Sequence, residues 1–253
     1  MSGHSKWANI KHKKAKADAQ RGAAFTKVAR EISVAVKQGG PDPESNFRLR
    51  MAVQAARSVN MPSDSIQRAI KRAAGDGEAE NYEEVVYEGY GPHGVALMVE
   101  ATTDNRNRTA SDVRYLFSRH GGNLGEAGCV GWMFQRKGEI TVEESTFKQG
   151  EDEMMLIAMD AGAEDLKLED GSYTITTSME ELDSVRKALE AAGVEVASAN
   201  LVRLPSTVVT LGLREAQSIM KLVDALDDHD DIQHVFGNFD IPDDVLEQLE
   251  EEE

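Results

Sequence analysis

The chain has 253 residues, with 28 lysines and arginines against 45 aspartates and glutamates, for a net charge of −17. That length accommodates two or three domains with a sizeable core, and with no run of about 18 apolar residues a membrane span is excluded. The single cysteine, Cys129, excludes an internal disulfide and a thiolate-built zinc site, and the N-terminus leads into charge instead of an apolar signal stretch, so a cytoplasmic location is expected.

Residues 1–75 read as helical. Phe25, Val28, Ala29, Ile32 and Val36 recur at helical spacing and predict one apolar face, which Gly39-Gly40-Pro41 brings to an end. A second helix is expected from about Glu44 to Val59 with Phe47, Met51 and Ala55 inward. Met61-Pro62 then turns the chain, with Ser63 as N-cap of a third helix whose stripe is Ile66, Ala69, Ile70 and Ala73. The polar stretch Gly77–Asn81 reads as a linker.

Beyond residue 82 the period changes. Val85–Tyr87 and Val95–Val99 predict strands joined by a glycine-rich turn. Thr109 to Asp112 has capping-box spacing before a helix that buries Val113, Leu116 and Phe117 and stops at Gly121-Gly122. A strand is expected over Val130–Phe134. The next block orders as strand Glu139–Glu143, helix Asp152–Ala161, strands Leu166–Leu168 and Tyr173–Thr176, helix Glu180–Ala191 and strand Glu195–Val202. That β-α-β-β-α-β order is the ferredoxin-like pattern. A last β-α-β unit, Val208–Leu211, Arg214–Leu226 and Ile232–Phe236, is too short to fold alone and is assigned to the β-β-α-β of residues 82–135. The expected class is therefore α+β in three domains. Residues 1–80 form a basic helical domain, and residues 81–136 plus 206–240 an α/β domain. Residues 137–205 form a ferredoxin-like domain inserted in the latter, and 241–253 a frayed acidic tail.

Charge is segregated along the chain. Residues 1–80 hold 15 basic against 8 acidic side chains, a net of +7; the remainder holds 13 against 37, a net of −24. Such asymmetry points to one surface for a polyanion on a body that repels it. The densest cluster is Lys6, Lys11, Lys13, Lys14, Lys16, Arg21, Lys27 and Arg30, with Asp18 the one acid among residues 1–30. Lysines and arginines in this density neutralise phosphates and release counterions, and Trp7 is placed to stack on a base. Arg68, Lys71 and Arg72 fall within about 100° of the third helix, opposite its apolar stripe, and Arg50 and Arg57 share a face of the second. Arg106 and Arg108 sit where a strand end meets a helix N-terminus, a place that favours an anion. The glycines between Gly121 and Gly131 read as a flexible loop and strand entry, and Asp227, Asp228, Asp230 and Asp231 as a solvated acidic turn without calcium-loop spacing. The six histidines lack zinc-ligand spacing, and no nucleophile elbow or phosphate-loop motif occurs. No catalytic residue, metal or cofactor is expected.

The run Gly3-His-Ser-Lys-Trp-Ala-Asn-Ile-Lys-His-Lys-Lys14, then Arg21-Gly22 and Phe25-Thr-Lys27, resembles the N-terminal signature of the YebC family. The likeness continues through Asn60-Met-Pro62, Tyr87-Glu-Gly-Tyr-Gly-Pro92, Glu100-Ala-Thr-Thr-Asp-Asn-Arg106 and Gly121-Gly-Asn-Leu-Gly125. The resemblance implies a three-domain protein with an N-terminal helical domain, a cleft between domains and a role in gene expression. Bacterial members are described as DNA-binding transcriptional regulators, and mitochondrial relatives as translational activators acting on messenger RNA or the ribosome. A non-enzymatic nucleic-acid-binding regulator is therefore expected, with an RNA- or ribosome-binding translation factor as the alternative. A protein adaptor using the acidic face and a metal-dependent phosphoryl-transfer enzyme are the readings from other classes. No membrane partner is expected.

Overall fold

The computed structural model describes residues 18–75, 82–169 and 171–251; the linker expected at 77–81 lies outside them. The class is mixed α+β, and the chain divides into two compact units, residues 1–134 with 205–253 and residues 135–204. Among the described residues no helix is long and apolar enough to cross a membrane.

The first unit begins with three helices, α1 (Asp18–Gly39), α2 (Phe47–Ser58) and α3 (Ser63–Ala74). Their shared core is built from Ile32, Ala35 and Val36 of α1, Leu49, Ala52 and Ala56 of α2, and Ile66, Ile70 and Ala73 of α3. Each large apolar side chain removed from water here contributes about 1.5–3 kcal/mol. The inward face of α2 is not the expected one. Leu49, Ala52 and Ala56 point inward, while Phe47 sits at the first helical position, under the Arg50 guanidinium at 5.8 Å. Asn46 sets that phase. Its buried side chain accepts from the Leu49 N–H at 3.0 Å and donates to the carbonyls of Ala35 at 2.7 Å and Gly40 at 2.8 Å, stitching the end of α1 to the start of α2. Ser63 is not the N-cap of α3; Pro62 holds that position with no side-chain cap.

The rest of this unit is a four-stranded sheet in the order β3-β1-β2-β9: β1 (Glu83–Tyr90), β2 (Ala96–Thr103), β3 (Asn123–Leu124) and β9 (Ile232–Gly237). Every pairing is antiparallel, with Val85 opposite Ala101, Gly89 opposite Leu124 and Val99 opposite Val235. One face packs against α4 (Arg106–Arg119) and α7 (Leu213–Asp227), burying Leu97, Val99, Val113, Phe117, Ile219 and Leu226. Gly89 is small because a Cβ there would lie 2.6 Å from the Asn123 carbonyl and 2.8 Å from the Phe117 ring. The other face carries a smaller cluster of Ala96, Met98, Val130, Met133 and Phe134. A two-stranded parallel pair, β8 (Val209–Thr210) with β10 (Phe239–Asp240), precedes the last helix.

Two expectations fail here for identifiable reasons. Residues 130–133 are not strand but loop and a short 3-10 turn, because the Glu88 carboxylate of β1 takes the N–H groups of Gly128 at 2.8 Å, Val130 at 2.9 Å and Gly131 at 2.6 Å. Those donors are withdrawn from any ladder, and the loop expected to be flexible is pinned on an internal anion, with Gly128 turning at φ 89°. The tail is not frayed either: Asp243–Glu251 is helix α8, and Val245 and Leu246 enter the main core. Asp243, Asp244 and Glu247 are exposed on the outer face of this amphipathic helix.

The second unit runs β4 (Phe134–Glu143), α5 (Glu151–Asp160), β5 (Asp165–Glu169), β6 (Ser172–Thr177), α6 (Leu182–Ala191) and β7 (Ser198–Pro205), with strand order β5-β6-β4-β7. β4 begins at Phe134, the last residue of the expected short strand, and runs unbroken into the strand expected at Glu139–Glu143. β7 starts later than predicted, after Ala197 has donated to the Thr141 carbonyl at 2.9 Å. Ile140, Met154, Tyr173, Ile175, Leu182 and Leu189 are fully buried in this unit, and Phe147 meets Tyr173 edge to face at 6.2 Å.

Leu246→Ala is expected to destabilise the protein by about 2–3 kcal/mol, the size of a large-to-small core change, measured by urea unfolding. An unchanged midpoint would return the C-terminal segment to a solvated tail.

Candidate nucleic-acid interface

The expected phosphate contacts divide into three groups. Lys6, Trp7, Lys11, Lys13, Lys14 and Lys16 lie outside the described residues, as does the side chain of Arg21 on α1. Arg57, Arg68, Lys71 and Arg72 remain exposed on α2 and α3, where a shallow open depression is lined by Asp64, Gln67, Arg68 and Lys71. Arg68 is steadied by its own helix, donating to the Asp64 carbonyl at 3.2 Å and the Ser65 hydroxyl at 3.0 Å. Its guanidinium is thereby held at the rim of that depression. Arg50 does not join Arg57: it folds back to donate to the Pro43 carbonyl at 2.9 Å and the Glu44 carbonyl at 3.2 Å.

Lys27, Arg30 and Arg108 form the third group, and each is engaged within the protein. Lys27 donates to the carbonyl of Asp227 at the end of α7. Arg30 donates to the Asp230 carbonyl at 2.5 Å and to the Asp231 carboxylate at 2.6 Å, with its guanidinium 5.5 Å from the centre of the Tyr82 ring. Arg108 bridges Asp104 at 2.7 Å and Asp231 at 2.9 Å. Arg106 stays exposed at the start of α4.

Asp231 is the residue hidden in the expected acidic turn. Its side chain is 3% exposed. One oxygen receives Arg30; the other receives Arg108, the Thr109 hydroxyl at 2.6 Å and the Thr103 hydroxyl at 3.3 Å. The Thr102 N–H donates to its carbonyl at 2.7 Å. Burial alone would push this carboxyl up. The Thr109 hydrogen bond, Arg108 and Arg30 outweigh that and hold it at about 2. The same contacts raise the Arg108 guanidinium further. Thr109 is therefore no capping residue: α4 starts earlier, with the Asn105 side chain accepting from the Arg108 N–H at 3.1 Å. The Asp231 N–H donates to His229 Nδ1 at 3.1 Å, which leaves Nε2 to carry the hydrogen that faces Asp112 at 3.3 Å. A carboxylate flanked by threonines and two arginines far away in sequence has no local signature.

A second self-neutralised anion is Glu88 of β1, held by the N–H groups of the glycine loop. Next to it, Trp132 and Tyr90 both donate to the Cys129 carbonyl, at 3.2 and 3.4 Å. Among the described residues no group of three or more His, Cys, Asp or Glu side chains is arranged to hold a metal ion.

The molecule is thus a basic three-helix segment joined to an α+β body through the buried Arg30–Asp231 pair. The chain belongs to the TACO1/YebC family: residues 5–76 match the profile of the TACO1/YebC protein N-terminal domain, and residues 82–239 that of the TACO1/YebC second and third domain. It is 54% identical over 243 residues to a probable transcriptional regulatory protein of Pelotomaculum thermopropionicum, covering 96% of this chain and 100% of that one. It is 52% identical over 253 residues to a protein of the same description from Halothermothrix orenii, covering 100% of both. The crystal structure of a conserved hypothetical protein from Aquifex aeolicus superposes with a TM-score of 0.85 at 49% identity, covering 94% of this chain and 98% of that one.

Asp231→Asn is expected to lower stability at neutral pH by roughly 3 kcal/mol, because it leaves Arg30 without its counter-charge. The wild-type contribution is complete above the unfolded carboxyl value of about 4 and disappears as pH falls through about 2. Urea unfolding of both proteins across that window should therefore converge at the acid end. A constant gap would mean that folding does not lower this carboxyl.

Proposed function

We propose that the protein is a non-catalytic, cytoplasmic regulator of gene expression that binds nucleic acid through its basic N-terminal domain. The observation that carries this reading is the charge segregation, +7 over residues 1–80 against −24 over the remainder. Arg57, Arg68, Lys71 and Arg72 on the exposed faces of α2 and α3, with the lysines before α1, supply phosphate contacts without reading base sequence. Lys27, Arg30 and Arg108 act at one remove, by joining the basic helices to the body. The α+β part, taken as residues 81–136 with 206–240 and an inserted ferredoxin-like domain at 137–205, positions that surface or engages a protein partner. The description of the relatives as probable transcriptional regulatory proteins supports DNA as the polymer.

The bulk acidity favours a second reading, an RNA- or ribosome-binding translation factor. A factor docking on a large ribonucleoprotein needs only a local basic face, whereas a free DNA binder gains from a broad one.

Replacing Lys11, Lys13, Lys14 and Lys16 with Ala is expected to weaken binding to labelled duplex DNA and to make its salt dependence shallower, by about 0.9 in log–log slope for each phosphate that is no longer neutralised. Replacing Arg57, Arg68 and Lys71 with Ala should do the same independently. Slopes equal to wild type in both variants would remove domain one from the interface. Turnover of DNA or RNA with magnesium would sink the non-catalytic reading. Crosslinking in cells then separates promoter DNA from messenger or ribosomal RNA.

A further inference from the structure

Among the described helices of the −24 half of the chain, one has the opposite sign. Helix α4 carries Arg106, Arg108, Arg114 and Arg119 against a single acid, Asp112, which faces His229. Arg108 is taken by Asp104 and Asp231. Arg106, Arg114 and Arg119 are exposed, and among the described residues none of the three has an ion-pair partner. Between them the outer face presents short polar side chains, Ser111 and Ser118, and one aromatic ring. That ring, Tyr115, is 59% exposed. Arg119 lies over it at 5.9 Å and donates to its hydroxyl at 3.2 Å.

We propose that the outer face of α4 is a second nucleic-acid contact, and that it takes a single strand. This rests on the nucleic-acid reading above and extends it to a surface outside domain one. Arg114 and Arg119 flank Tyr115 on this face, about 7.5 Å apart along the helix axis, so the two can take neighbouring phosphates; Arg106 lies at the azimuth of the buried Val113 and Phe117 and is not part of the face. The Ser118 hydroxyl on the same face can donate to a phosphate oxygen, while that of Ser111 is given to the Asn107 carbonyl at 2.9 Å. An exposed tyrosine steadied by an arginine is a stacking platform, and stacking requires a base that is free of its partner, which duplex DNA does not provide. The face is tied to the basic helices through Asp231, which holds Arg30 of α1 and Arg108 of α4 on its two oxygens.

The test uses the full chain, a labelled oligothymidine and a labelled duplex of equal length, read by fluorescence anisotropy across a salt series. Arg114→Ala with Arg119→Ala is expected to weaken single-strand binding roughly tenfold at low salt and to reduce the slope by about 1.4, which is about 0.7 for each of the two phosphates. Tyr115→Ala should weaken it several-fold with the slope unchanged, and Tyr115→Phe should bind as wild type. Duplex binding should change less in all three variants. These positions are exposed, and unaltered thermal melts confirm the fold. If wild type binds neither polymer, the nucleic-acid reading itself fails. If wild type binds and the lysine-arm variant loses affinity while the α4 variants match wild type, only this inference is overturned. Duplex binding that falls more than single-strand binding overturns the single-strand assignment. Competition by polyglutamate as effective as by oligothymidine, at equal charge, overturns it in favour of an acidic protein partner.

Discussion

The rest of the first unit depends on one buried carboxylate. Asp231 closes the turn between α7 and β9, and its oxygens hold α1 through Arg30 and α4 through Arg108 and Thr109. An ionised group removed from water is tolerated only when its lone pairs are filled. Here two guanidinium donors and two hydroxyls fill them. The requirement works in both directions. The carboxylate needs those partners to stay ionised, so the elements that carry them are held together at one point. A second tie, Arg48 with Gln38 to Glu84 on β1, repeats the principle nearer the surface.

The same accounting decides which charges face outward. A formal count treats every arginine of the basic segment alike. In the folded chain Arg30 and Arg108 neutralise Asp231, and Arg50 binds backbone carbonyls before its own helix. What remains for a polyanion is a smaller and better-defined set on α2, α3 and the outer face of α4. Glu88 shows the complementary case. It is neutralised by three backbone N–H groups of a glycine-bearing loop, so the loop's donors are already taken by the protein's own anion.

How far the elements were legible follows from what each one depends on. The apolar stripe of α3 was readable because Ile66, Ile70 and Ala73 bury at spacings that leave no competing face. Strand β1 was readable because its inward residues alternate, and β2 because it opens on an apolar run that is buried on both faces. For α2 the sequence offers two stripes, one through Phe47 and one through Leu49, and the choice is made by Asn46, whose partners lie on α1. The 130–133 segment has strand composition, and the distant Glu88 removes its donors. The acidic tail looked soluble by composition, yet three apolar residues at helical spacing, Val245, Leu246 and Leu249, were sufficient once a core was there to receive them. Of the candidate interface, the density of basic residues was legible; their pairing was not.

Periodicity, composition and contiguous motifs are local properties, and they were enough to set the mixed class, the order of most elements, the sign of each half and the family. Packing in three dimensions settled which face of α2 turns inward, which loop is pinned and which arginines stay exposed. Those outcomes rest on groups far apart in the chain, Arg30 with Asp231 and Glu88 with Gly128 to Gly131. A buried charge selects its partner by proximity in space, and no spacing along the chain encodes that proximity.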